Sequence, residues 1–158
     1  MGQPLDYMTG IVDFISMETV ELAEEHLDKV LEFWQSIEGI GLSNTDSKPS
    51  LLKYLDRNPS MSYVVLSDGE IIGTVLCGHD GRRGYIHHLA IAEQHRGEGI
   101  GGTLIDLSSQ ALRKEGIDKC HIFVFSENAA GQDFWRSLNW RERDDVRLFS
   151  HDIDFPGE

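Results

Sequence analysis

Four glycines stand within six residues at Gly97-Glu98-Gly99-Ile100-Gly101-Gly102, between an apolar run, Tyr85 to Ile91, and a segment with helical patterning. A strand that passes through clustered glycines into a helix restricts the fold severely, because glycine admits positive φ angles and close backbone approach. The helix start adds unpaired N–H groups at the positive end of its dipole, which suits an anion held by backbone amides. Arg96 supplies a charge-assisted donor at the mouth of the turn. Beyond it, Leu104, Ile105, Ser108, Ala111 and Leu112 trace one helical face. Arg113 and Lys114 complement the dipole in the last turn, and Gly116 suits the C′ position.

The rest of the chain is read around this segment. Ile11 to Ile15 predicts a first strand, and Leu27, Val30, Leu31 and Trp34 fall at the spacing of an amphipathic helix that ends by Gly39 to Gly41. Pro49 opens a second, short helix through Leu51, Leu52 and Leu55, which stops at Asn58-Pro59. Ser62 to Leu66 and Ile71 to Leu76 flank Asp68-Gly69, a pair that favours a hairpin because its turn needs positive φ. A glycine-rich link, residues 78–84, leads to the strand Tyr85 to Ile91. After the third helix, His121 to Phe125 predicts a strand, Ala129 to Leu138 a helix and Val146 to Ile153 a last strand. The order is β-α-α-β-β-β-α-β-α-β. It predicts an α/β (α+β) domain with a mixed, mostly antiparallel sheet flanked by helices and split near the glycine segment.

With 158 residues, 40% of them apolar, the chain can bury one sizeable core. No repeat or linker divides it, so residues 11–158 read as one domain and residues 1–10 as a flexible tail. No run of about 18 apolar residues occurs, and Met1 to Gly10 lacks the pattern of a secretion signal, so a soluble cytoplasmic protein without a membrane partner is expected. Cys77 and Cys120 lie in apolar strand-like runs and read as buried thiols. The formal charge of −13 disfavours nucleic-acid binding. Residues 1–46 hold ten acidic side chains against Lys29 alone. Such a field attracts a cationic small molecule or peptide, although it is equally the mark of a solvated surface. The seven histidines show no metal-ligand spacing, so no metal is expected.

Two familiar phosphate motifs are excluded. No Lys-Ser/Thr follows the last glycine, so the Walker A pattern fails. Gly97, Gly99 and Gly102 satisfy G-x-G-x-x-G, but Ala92 to Arg96 separate them from the strand, an antiparallel hairpin precedes it, and only 56 residues follow Gly102. By contrast, the run from Leu89-Ala90-Ile91 through Arg96-Gly97-Glu98-Gly99-Ile100-Gly101-Gly102-Thr103-Leu104 resembles the signature of the GNAT N-acetyltransferases, Arg/Gln-x-x-Gly-x-Gly/Ala. Arg96, Gly99 and Gly101 match it, as do Gln94, Gly97 and Gly99 in a shifted register. A second block, Asn128 to Trp140, is similar to the family's Asn…Phe-Tyr…Leu-Gly-Phe segment. The resemblance covers nearly the whole chain from Ile11 onward.

The resemblance implies an acetyl-CoA-dependent N-acetyltransferase acting on a primary amine by direct transfer. In it, the amides of Arg96, Gly97, Glu98, Gly99, Ile100, Gly101 and Gly102 hold the pyrophosphate, and the pantetheine arm runs between the strands Tyr85 to Ile91 and His121 to Phe125. A backbone N–H near Leu89 or Ile91 meets the acetyl carbonyl, and Asn128 contacts the pantetheine arm. A homodimer is compatible with the family. Where the family carries a tyrosine acid, this chain has Trp135, whose indole donates a hydrogen bond but yields no proton. Trp135 is therefore expected to pack against the cofactor arm or to serve the core. The missing acid also leaves open a non-catalytic acyl-CoA-binding module. For the base, His87 and His88 are the candidates, with Tyr85 a weaker one. Strand alternation predicts the two histidines on opposite faces, with His87 sharing the side of Tyr85, Leu89 and Ile91.

Overall fold

The computed structural model describes residues 16–156. A strand β1 (Met17–Glu21) leads into helices α1 (Leu27–Ser36) and α2 (Lys48–Arg57), followed by β2 (Tyr63–Ser67), β3 (Glu70–His79), β4 (Gly84–Ile91), α3 (Ile100–Lys114), β5 (Cys120–Ile122) and α4 (Ala129–Ser137). The five strands form one mixed sheet in the order β1-β2-β3-β4-β5, antiparallel except for the parallel pair β4 and β5. The α/β class and the mostly antiparallel sheet are those expected. Among the described residues, no helix is long and apolar enough to cross a membrane.

Local chemistry sets most element limits. Asp68 and Gly69 both take positive φ, 49° and 81°, which closes the β2–β3 hairpin. The Ser47 hydroxyl caps α2 by accepting from the Ser50 N–H, with Pro49 in the first turn. Gly116 follows α3 at φ 74°, as a C′ glycine should.

Helices α1 and α2 cover one face of the sheet. Leu27, Val30 and Trp34 of α1 and Leu51 of α2 join Val64, Leu76 and Ala90 in one buried cluster. Helix α3 covers the other face, where a side chain on Gly73 would meet Ile100 and Leu104, and one on Gly84 would meet Leu112 at 2.7 Å. Both glycines let the helix lie close to the strands. Opposite, a side chain on Gly78 would come within 2.7 Å of the Tyr54 hydroxyl and 2.6 Å of Asn58.

Three expectations are corrected by the structure or fall outside it. The strand expected at residues 11–15 lies outside the described residues, and the first described strand is β1. The strand expected over 146–153 is not formed; that stretch carries no regular hydrogen-bonded structure, and Leu148, Phe149 and Ile153 are exposed. Its apolar composition alone could not supply a strand with a pairing edge. The strand expected through Phe125 stops at Ile122, because its pairing with β4 covers only Gly84–Ile86 against Cys120–Ile122.

The chain divides at Phe123 into two compact units, Met1–Phe123 and Val124–Glu158. In the second, the Asn128 carboxamide caps α4 by accepting from the Gly131 N–H at 2.9 Å. Arg136 forks onto Glu142 at 2.7 and 3.1 Å.

In the first unit, Trp34 Nε1 donates to Thr74 Oγ1 at 2.8 Å, and that hydroxyl donates onward to the His88 carbonyl at 3.0 Å. Replacing Thr74 by Val keeps the shape and strands both partners in the core. A loss of about 1–3 kcal/mol in unfolding free energy is expected, measured by urea denaturation; a change below about 0.5 kcal/mol would show that the hydroxyl is dispensable.

Candidate active site

The alternation of β4 fails at His88. Thr74 pairs with Ala90 and Leu76 with His87, so the single residue Val75 on β3 faces two residues, His88 and Leu89, on β4. This is a β-bulge, and His88 carries its strain at φ 46°. An extra residue resets which side chains share a face. His87 therefore lies on the α1/α2 face with Leu76, while Ile91 pairs with Gly73 on the α3 face. The expected grouping of His87 with Ile91 is overturned.

The bulge also brings both histidines to one side. His88 Nε2 lies 2.7 Å from Asp46 Oδ1, and its ring sits 4.6 Å from that of Trp34. The His87 ring lies 6.3 Å from both Tyr54 and Tyr85. The expectation of opposite faces is thus corrected: His87 and His88 line the same cavity, of about 450 Å³, with Asp46, Lys53, Tyr54 and Arg57. Tyr85, His87 and the half-exposed Phe123 form a triangle of rings with centroids 6.1–6.5 Å apart.

Asp46 was not among the residues singled out by sequence. It sits in a short helical turn, where its Oδ2 accepts from the Ser43 N–H at 2.8 Å, leaving Oδ1 for His88. The Ser43-x-x-Asp46 spacing signals such a turn; the partner 42 residues away has no local signature. The Asp46 side chain is only 10% exposed and that of His88 17%. An imidazole whose one nitrogen is held by a carboxylate has its tautomer and orientation set, and its other nitrogen is left to exchange a proton.

Burial lowers the His87 pKa below its ordinary value of 6.5, the neighbouring His88 lowers it further, and Asp46 acts in the opposite sense. His87 thus stays neutral at physiological pH. The Tyr54 hydroxyl is buried without a hydrogen-bond partner among the described residues, and its burial raises its pKa, so it keeps its proton. Burial likewise pushes the Cys77 thiol up to about 12 and that of Cys120 up to about 11, which suits neither to act as a nucleophile.

The glycine segment has the geometry an anion requires. Gly97 and Gly99 take φ of 79° and 82°, and Gly99 is the residue from which α3 starts. Among the described residues, the N–H groups from Gly97 to Gly102 donate to no other group, whereas that of Arg96 reaches Glu93 and that of Thr103 reaches Gly99. Added side chains at Gly97, Gly99 and Gly102 would meet nothing within 4 Å, so the space before these amides is open. The Arg96 guanidinium donates through Nε to the Ile91 carbonyl at 3.3 Å, which ties it to the end of β4. Glu98 is drawn aside to His95, 3.1 Å away, and Ile100 points into the core.

Among the described residues, β4 has no strand partner on its β5 side above Ile86, and Leu89 in the bulge has no register partner on β3 either. Asn128 uses its carboxamide oxygen as the α4 cap. Trp135 packs against Trp140, with ring centroids 4.5 Å apart, and against Phe134 at 5.3 Å. A second cavity of about 450 Å³, lined by Leu112, Arg113, Lys119 and Cys120, lies at the far end of α3 and holds no acid–base pair.

The described geometry has counterparts among known proteins. An acetyltransferase of Pectobacterium atrosepticum is 27% identical over 132 residues, covering 84% of this chain and 93% of the relative. The PaiA N-acetyltransferase of Thermoplasma acidophilum, solved in complex with coenzyme A, superposes with a TM-score of 0.66 at 21% identity, over 78% of this chain and 89% of that one. An aminoglycoside acetyltransferase from an uncultured soil metagenomic sample, solved with sisomicin, gives a TM-score of 0.65 at 21% identity, over 89% and 97%. The family described as acetyltransferase (GNAT) matches residues 27–140, from the start of α1 to Trp140. This chain belongs to the GNAT acetyltransferase family.

Proposed function

We propose that the protein is an N-acetyltransferase that moves an acetyl group from acetyl-CoA directly to the primary amine of a small molecule. The observation that carries this reading is the presence, within one unit, of free amides at Gly97–Gly102 and of a His88–Asp46 pair facing a cavity. Bound at the cradle, acetyl-CoA supplies an activated thioester carbonyl.

The protein's own residues do the rest. The amides of Gly97 to Gly102, at the positive end of α3, are donors for a pyrophosphate. Leu89, left outside the β3 ladder by the bulge, offers its N–H to an acetyl oxygen. An incoming ammonium must lose a proton before its nitrogen can attack. His88 accepts that proton on Nδ1, and Asp46 stabilises the resulting imidazolium through Nε2; as the new C–N bond forms, the thioester C–S bond breaks and the coenzyme leaves as its thiolate. His87, kept neutral by burial, takes part as an uncharged hydrogen-bonding wall beside it. Support for a small-molecule amine comes from neighbours such as the enzyme solved with sisomicin. The aromatic packing of Trp135 is the role left to it in the absence of the family's tyrosine.

Gly102 is not in a positive-φ conformation and has space before it, so Gly102→Glu should leave the melting temperature within about 3 °C of the parent. It places a carboxylate in the first turn of α3, which suits the helix dipole but opposes a phosphate. Acetyl-CoA affinity measured by calorimetry should fall about tenfold or more; unchanged binding would remove the cradle from the reading.

Asp46→Asn should lower kcat with little change in the Kd for acetyl-CoA, and shift the pH–rate profile. An unaltered profile in a thiol-release assay would exclude the pair as base, and tight binding without turnover of any amine by the parent would favour a non-catalytic acyl-CoA-binding module.

The lowered pKa of His87 also predicts a pH dependence of stability. Its unfolded form takes a proton near 6.5, whereas the folded form does so only at lower pH, so acid favours unfolding. Its contribution is intact above 6.5 and is lost as pH falls through the folded value. His87→Gln should therefore lose less stability than the parent between pH 7.5 and pH 5.5, compared by denaturation midpoints; equal losses would contradict a buried, neutral His87.

A further inference from the structure

The charge of the cavity differs from that of the chain. Among the described residues, Asp46 is the one acidic side chain that lines it, and its carboxylate is taken by His88 and the Ser43 N–H. Lys53 and Arg57 line the same cavity from α2. Standing four residues apart, they lie about 6 Å apart along one helix face. Among the described residues neither has an ion-pair partner; the only partner recorded for a cation of α2 is Asp28, which holds Lys48. In a protein of net charge −13, two uncompensated cations at the rim of a cavity that ends on an acid–base pair are a local inversion of sign.

We infer that the ligand of this cavity is a small primary amine that also carries an anionic oxygen group, a carboxylate or a phosphate, held by Lys53 and Arg57 while the amine faces His88. The inference rests on the transferase reading only in calling that ligand the acceptor. Guanidinium and ammonium groups bind such anions by charge-assisted hydrogen bonds, and the guanidinium presents a planar fork that matches a carboxylate. A polyamine, by contrast, brings further positive charge toward Lys53 and Arg57 and is disfavoured.

Matched acceptors test this: β-alanine against its amide, phosphoethanolamine against ethanolamine, and putrescine as the doubly cationic case. Thiol release gives kcat/KM for each, and calorimetry gives binding of the same compounds. The anionic member of at least one pair should exceed its neutral partner by about tenfold or more, the two pairs telling carboxylate from phosphate. In Lys53→Gln/Arg57→Gln, at exposed helix positions, that ratio should fall toward one, and it should shrink in the parent at high salt. A ratio near one in the parent, a preference for putrescine, or a ratio that survives the double substitution overturns the inference and leaves the transferase reading standing. If nothing is acetylated but the anionic members bind more tightly through Lys53 and Arg57, the transferase reading falls and the ligand assignment stands. Neither turnover nor binding of any anionic amine overturns the assignment.

Discussion

The hydroxyl of Thr74 holds the centre of the first unit together. It accepts from the Trp34 indole of α1 and donates to the carbonyl of His88, at the one place where β4 departs from regular pairing. A histidine at φ 46° costs about 1–2 kcal/mol relative to regular strand geometry. The Thr74 bond to its carbonyl and the Asp46 bond to its imidazole offset that cost. Helix, bulge and the His88–Asp46 hydrogen bond are thereby one connected arrangement, and its Trp34–Thr74 link is fully buried in the core, where an unmade hydrogen bond is expensive.

The consequence for chemistry is geometric. Without the bulge, two adjacent strand residues point to opposite faces; with it, His87 and His88 line one cavity. They are not equivalent there. His88 has a carboxylate to orient it and to stabilise its charged form, while His87 lacks one and is held neutral by burial. Ile91, two positions past the bulge, turns to the α3 face and lies beside Ile100 at the start of the helix that carries the amide cradle. The histidine pair and the free amides of Gly97 to Gly102 are thus set on consecutive elements, β4 and α3.

Much of this was legible along the chain. Asp68-Gly69, Pro49 and Gly116 act through backbone conformations that belong to single residues or pairs, and the elements they delimit lie where the sequence places them. The apolar stripe Leu27, Val30, Leu31 and Trp34 reports a face of α1 directly. Residues 146–153, in contrast, have strand-like composition and form no strand. Strand pairing needs an edge contributed from elsewhere, and composition says nothing of its presence. The bulge was hidden for a similar reason: it is a mismatch in count between β3 and β4, visible only when the two are laid side by side.

The sequence by itself determined the glycine-to-helix passage at Gly97–Gly102 and with it the family, because the positive φ angles and free N–H groups of such a passage depend on residues adjacent in the chain. Only the tertiary structure decided that Asp46 meets His88, that both histidines share a face, and that Lys53 and Arg57 line the same cavity. Those contacts join positions tens of residues apart, and side-chain geometry across such distances is settled by packing, not by local propensity.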